Sequence, residues 1–148
     1  MPSVTRGAAL CARARPRLTL SPAGLRTGAI LLGGAGGALA RAGLAEAWPP
    51  GDSWPWATFV ANLAGTALLA WLATRLSERV APSQLWRPFL GTGLCGALTT
   101  FSAFQIEAIR LAKDGRPGLA VSYVTVSLGL GMALAAGMSV LARRGRYG

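Results

Sequence analysis

The pattern that most limits this chain is a set of four apolar runs, at about 24–45, 56–76, 88–111 and 118–142. Each has the ~20 residues that a helix needs to cross a hydrocarbon core about 30 Å thick. Inside lipid the backbone must satisfy its own N–H and C=O groups, so the runs are expected as helices. Composition agrees, with 52% of the residues hydrophobic and 14% charged. The expectation is therefore an all-α membrane protein with four transmembrane helices over 24–142. A basic, disordered tail is expected over 1–23 and a second basic tail over 143–148. The first of these shares some features with a transit peptide, but a cytoplasmic tail held by its charge is the favoured reading.

A formal charge of +10 raises the possibility of nucleic-acid binding. The arginines, however, gather in the tails and short loops and not along one soluble face, so nucleic acid is excluded as a partner. The chain has no histidine, which removes triads, imidazole metal sites and histidine proton relays. Cys11 falls in the basic tail and Cys95 at mid-membrane depth, so no structural disulfide joins them.

The third run departs from lipid-facing helix. Between Gly91 and Phe104 it crowds together Gly91, Gly93, Gly96, Thr92, Thr99, Thr100 and Ser102. Glycine weakens a helix by roughly 1 kcal/mol relative to alanine. Two readings stand: a closely packed small-residue interface, or a helix break presenting backbone groups to something at mid-membrane depth. Phe101 and Phe104, three apart, share a face; they suit core packing, or an anion held by their electropositive ring edges. Glu107 follows one turn later and is expected to pair at the interface with Arg110 or Arg41.

The other runs carry stripes of their own. Gly33, Gly37 and Arg41 recur every fourth residue, so a second helix can approach the glycines while Arg41 snorkels or faces a vestibule. Thr58, Asn62, Gly65 and Thr66 make one polar face of the second run. Asn62 serves either an interhelical hydrogen bond or a polar path. Tyr123, Ser127 and Gly131 repeat this at four-residue spacing in the fourth run. Trp48, Trp54 and Trp56 flank the first loop as an aromatic belt. Four short helices cannot enclose a pathway alone, so a two-fold dimer is expected, lined by groups able to replace part of the hydration shell of a small anion.

These residues carry a resemblance. Gly96-Ala-Leu-Thr-Thr-Phe-Ser-Ala-Phe104 with Glu107 resembles the signature of the bacterial fluoride channels of the Fluc (CrcB) family. Gly34-Ala-Gly-Gly-Ala-Leu-Ala-Arg41, Val60-Ala-Asn-Leu-Ala-Gly65 and the Tyr123, Ser127 spacing extend the likeness over about Leu25 to Ala142. The resemblance implies an antiparallel dimer in the bacterial plasma membrane, with a break in the third helix and passive export of fluoride. It implies a structural sodium ion, not transported, held by the backbone carbonyls of Gly96 and Thr99. It implies a fluoride pathway along Asn62, Phe101, Phe104, Tyr123 and Ser127, with Arg41 and Glu107 at a vestibule or interface. Many relatives carry a hydroxyl where this chain has Gly131.

Charge across the membrane bears on the assembly. The side of the termini holds Arg6, Arg13, Arg15, Arg17, Arg79, Arg87, Arg143, Arg144 and Arg146, against Lys113 and Arg116 opposite. This favours termini inside, whereas an antiparallel homodimer inserts in both orientations. Either the chain pairs with an oppositely oriented homologue, or the native start lies downstream and removes the bias. Two alternatives come from other classes. A small multidrug/proton antiporter needs a carboxylate within the first span, and only Glu46, at its end, is available. A non-conducting membrane assembly subunit is the other.

Overall fold

A computed structural model describes residues 21–49, 51, 53–78 and 85–144. Nearly all of the 1–23 tail and the end of the 143–148 tail lie outside them. The described chain is helical. Helices α1 (Pro22–Ala47) and α2 (Trp56–Glu78) are followed by a π-helical segment, Arg87–Cys95, that passes into one α-helical turn, α3 (Gly96–Leu98). After two extended residues come α4 (Phe101–Lys113) and α5 (Pro117–Arg144). Among the described residues four helical stretches are long and apolar enough to cross a membrane: Pro22–Ala47, Trp56–Arg75, Arg87–Lys113 and Pro117–Arg144.

Local chemistry fixes the ends. Ser21 Oγ accepts the Gly24 amide at 3.1 Å with Pro22 in the first turn, so α1 starts two residues before the apolar run. The turn between α4 and α5 needs a left-handed residue, which Gly115 supplies with φ of 76°. At the far end α5 runs on to Arg144, its last turn carrying Arg143 and Arg144 beside carbonyls that favour positive charge.

Two kinds of packing organise the bundle. Helix α1 lies against the π-helical segment through backbone. A β-carbon on Gly33 would overlap the Phe89 carbonyl, one on Gly37 the Leu94 carbonyl, and one on Gly93 would come within 2.6 Å of the Ile30 carbonyl. Only glycine permits that approach, and Gly33, Gly37 and Gly93 are all buried. On the opposite side α2, α4 and α5 meet through side chains. Phe59, Leu111, Ala120 and Tyr123 form a buried cluster supported by Trp54, Leu63 and Phe104. Large residues such as Leu31, Leu32, Leu39 and Met132 point outward, as they must where lipid is the solvent.

Candidate functional site

The third stretch is broken at Thr99 and Thr100. Thr99 has φ, ψ of −80°, 149° and Thr100 of −148°, 119°, both extended. A break in lipid leaves backbone groups without helical partners, and their replacement can be followed bond by bond. The Thr99 amide and its own hydroxyl both donate to the Cys95 carbonyl, at 3.0 and 2.9 Å. The Thr100 amide, which in a continuous helix would bond the Gly96 carbonyl, goes to Asn62 Oδ1 at 2.8 Å. The same side chain returns a bond, Asn62 Nδ2 donating to the Thr100 carbonyl at 3.0 Å. Asn62 thus stands in for a second peptide, holding one exposed unit of backbone at two points. Thr100 Oγ1 then accepts the Ala103 amide at 3.2 Å and caps α4.

The break therefore sets the carbonyl end of α3 beside the amide end of α4. The carbonyls of Gly96, Ala97 and Leu98 close the upstream helix, where partial negative charge collects; the amides of α4 carry the positive counterpart. Among the described residues, no atom outside its own helical turn lies within 4 Å of the place a β-carbon on Gly96 would take, and Gly96 is exposed. An open carbonyl end offers oxygen donors of the type hard cations take. Among the described residues no group of three or more His, Cys, Asp or Glu could hold a metal ion.

Beside the break runs a groove of about 510 Å³. Asn62, Gly65 and Thr66 of α2, Thr99 and Thr100 of the break, Phe101 and Phe104 of α4, and Ser127 and Gly131 of α5 line it, and no charged side chain does. The two phenylalanine rings lie 6.0 Å apart and 28° from parallel, and Phe101 is 69% exposed. Ser127 Oγ, on the groove wall, is buried and bonds no group among the described residues. Asn62 has a second amide hydrogen beyond the one used by Thr100. The groove thus brings together Asn62, Thr99, Phe101, Phe104 and Ser127.

Tyr123, one turn from Ser127, lies elsewhere. It is wholly buried, packs on Phe104 with centroids 5.1 Å apart, and donates its hydroxyl to Glu107 Oε2 at 2.9 Å. Thr58 Oγ1 donates to the other oxygen, Oε1, at 2.6 Å. The expected pairing of Glu107 with Arg110 or Arg41 is not what forms. Arg110 turns to Asp114 one helical turn on, at 3.7 Å, because Glu107 faces the interior of the α2–α4–α5 cluster. Its carboxylate lines a second cavity of about 230 Å³ below the Trp48, Trp54 and Trp56 loop. Arg41 is exposed on α1, past the end of the glycine seam, and lines neither cavity.

Sequence reasoning did not foresee the two-point bond between Asn62 and Thr100. A signal was present: a threonine before an apolar, helix-forming run is an N-cap, which places α4's start at residue 101 and leaves Thr100 extended.

Residues 28–138 match the family described as CrcB-like protein, Camphor Resistance (CrcB). The chain belongs to the CrcB family. Among CrcB relatives, the fluoride-specific ion channel FluC 1 of Mycobacterium bovis is 50% identical over 119 residues, 80% of this chain and 90% of the relative. The protein of that name from Mycobacterium tuberculosis matches to the same extent. The fluoride-specific ion channel FluC of Rhizobium meliloti is 38% identical over 118 residues, covering 76% of this chain and 94% of its own length. CrcB proteins with these names are ion channels and not enzymes.

Proposed function

We propose that the chain forms a fluoride-selective channel that exports fluoride passively from the bacterial cytoplasm across the plasma membrane. The observation that carries this is the groove beside the break. Asn62 and Ser127 line it, the buried Ser127 hydroxyl bonding no group among the described residues, two phenylalanine rings flank them, and no charged side chain among the described residues joins the lining. Neutral donors and ring edges attract a small anion without trapping it, which conduction requires. Both the family and the names of its relatives support the choice of fluoride.

In this reading the groove is half of a pathway. An oppositely oriented second copy, or an oppositely oriented homologue, closes it from the exposed Phe101 side. Asn62, Phe101, Phe104 and Ser127 contact the ion, and Tyr123 acts by fixing Glu107 at the end of the track. The carbonyls of Gly96 and Thr99 would hold a structural sodium ion, which supplies positive charge to the carbonyl end of α3 and is not itself transported. Fluoride that enters an acidified surface as HF dissociates inside and leaves down its electrochemical gradient, so toxicity falls without an energy source.

Fluoride efflux from proteoliposomes holding the purified chain, read with a fluoride electrode against a chloride control, tests this. Rapid fluoride efflux with negligible chloride efflux is expected in sodium buffer. Absence of selective flux, from the chain alone and from the chain with its oppositely oriented homologue, would overturn the proposal. Labelling both termini with membrane-impermeant reagents distinguishes the two assemblies: labelling from both sides indicates a homodimer, from one side a homologue pair.

A further inference from the structure

Away from the break, at the membrane face carrying both termini, an apolar groove of about 620 Å³ opens between α1 and the start of the π-helical segment. Leu25, Ala29, Leu32, Leu85, Trp86 and Phe89 line it. Its volume falls in the range of ligand sites, about 300–1,000 Å³. Leu32 is 70% and Trp86 54% exposed, and among the described residues nothing outside α1 lies within 4 Å of the β-carbon position of Gly28 along its floor. Trp86 stands edge-on to Phe89 with centroids 5.8 Å apart, an indole placed where belts of tryptophan meet headgroups.

An apolar trough in a bilayer accepts any hydrocarbon chain; charge narrows the choice. This end of the bundle carries Arg26, Arg75, Arg87, Arg143 and Arg144, against the single carboxylate of Glu78 where α2 ends. Arg26 and Arg87 directly adjoin the groove residues Leu25 and Trp86 in the chain. Arg75 stacks on Trp71 at 5.8 Å, with its Nε buried and bonded to no group among the described residues. The ion pair between Arg110 and Asp114 lies at the opposite end. Basic pockets between transmembrane helices on the cytoplasmic side suit anionic headgroups.

We propose that this groove holds an acyl chain of an anionic glycerophospholipid, with its headgroup charge beside Arg87 in the leaflet the termini face. A zwitterionic lipid offers the same chains, but its ammonium group meets a bundle end at which Arg87 is exposed. The site therefore selects by headgroup, while the acyl chain fills the space between α1 and the π-helical segment.

Tryptophan quenching by bromine-labelled acyl chains tests the proposal on the full chain in nanodiscs. Brominated phosphatidylglycerol is expected to quench at lower mole fraction than brominated phosphatidylcholine. Arg87→Gln should move the phosphatidylglycerol midpoint about fivefold higher, the effect of one basic residue near an anionic leaflet. Trp86→Phe, which keeps the groove apolar, should remove the headgroup-selective part of the quenching. Equal quenching by the two lipids overturns the selectivity. Selective quenching that survives Trp86→Phe puts the lipid elsewhere and overturns the site. No quenching of Trp86 by either lipid shows that a second copy or another segment covers the groove, and overturns it too.

Discussion

The π-helical segment and the break that follows it use the same residue types for opposite ends. Along Arg87–Cys95 the glycines bring two backbones together, Gly93 against Ile30 and Gly34, with Gly33 and Gly37 answering from α1. At the break, no described residue from another element comes near the β-carbon position of Gly96, and the neighbouring polarity is managed by Asn62 from another helix. One glycine removes space; the other preserves it. A small residue in a transmembrane run has no fixed meaning until its neighbour across the helix gap is known.

The sharpest way to break that contrast is to fill both sides of it. Gly37→Val pushes side-chain atoms into the Leu94 carbonyl and the Leu98 amide, both backbone, so the clash cannot be relieved by turning a side chain. No monodisperse peak on size-exclusion chromatography is expected, whereas Gly96→Ala elutes and melts like the unaltered protein. A normal Gly37→Val profile would show that the seam can open.

Next in size is Asn62→Ala. It leaves the Thr100 amide and carbonyl without partners, and each unsatisfied buried group costs about 1–3 kcal/mol. A lower melting temperature and at least a tenfold loss of fluoride flux are expected together. Retained stability with lost flux would mean that water replaces the amide at the break.

Smaller effects come from the carboxylate. Tyr123→Phe and Thr58→Ala each remove one of the two bonds to Glu107, and interhelical bonds in membrane proteins average about 0.6 kcal/mol. Both donors hold one group, so a double-mutant cycle on thermal stability should show coupling of at least ~0.5 kcal/mol. Strict additivity would mean the two bonds act independently. Smallest of all is Gly131→Ser, whose β-carbon would meet no described residue outside α5 within 4 Å. Unchanged stability is expected, with fluoride flux altered by less than about threefold, the worth of one such hydrogen bond.

The four helical stretches could be read from apolar run length, because hydrocarbon thickness and helix rise leave few other solutions. The break stood in the sequence as one of two readings of the glycine and hydroxyl residues between Gly91 and Ser102, the other being a close-packed interface. Asn62 was singled out because an amide in lipid must find a partner, although sequence could not say that the partner would be backbone. Other features depend on contacts between distant residues. The π-helical winding has no marker in Arg87–Cys95 itself. Glu107 chose Thr58, 49 positions away, over its nearer neighbour Arg110, because α4 turns that face toward α2 and α5. Spacing by four put Tyr123 in line with Ser127, but α4 crosses α5 at that level, so the phenol is buried there and the hydroxyl of Ser127 stays beside the groove.

The bond between Asn62 and Thr100 also bears on the order in which the protein is made. An interrupted third segment entering lipid alone would carry a bare amide and carbonyl, and its insertion would be disfavoured by both. Asn62 belongs to α2, which leaves the ribosome first. The side chain that completes the break is already in the bilayer when the break arrives, so synthesis from the N-terminus delivers the partner ahead of the need.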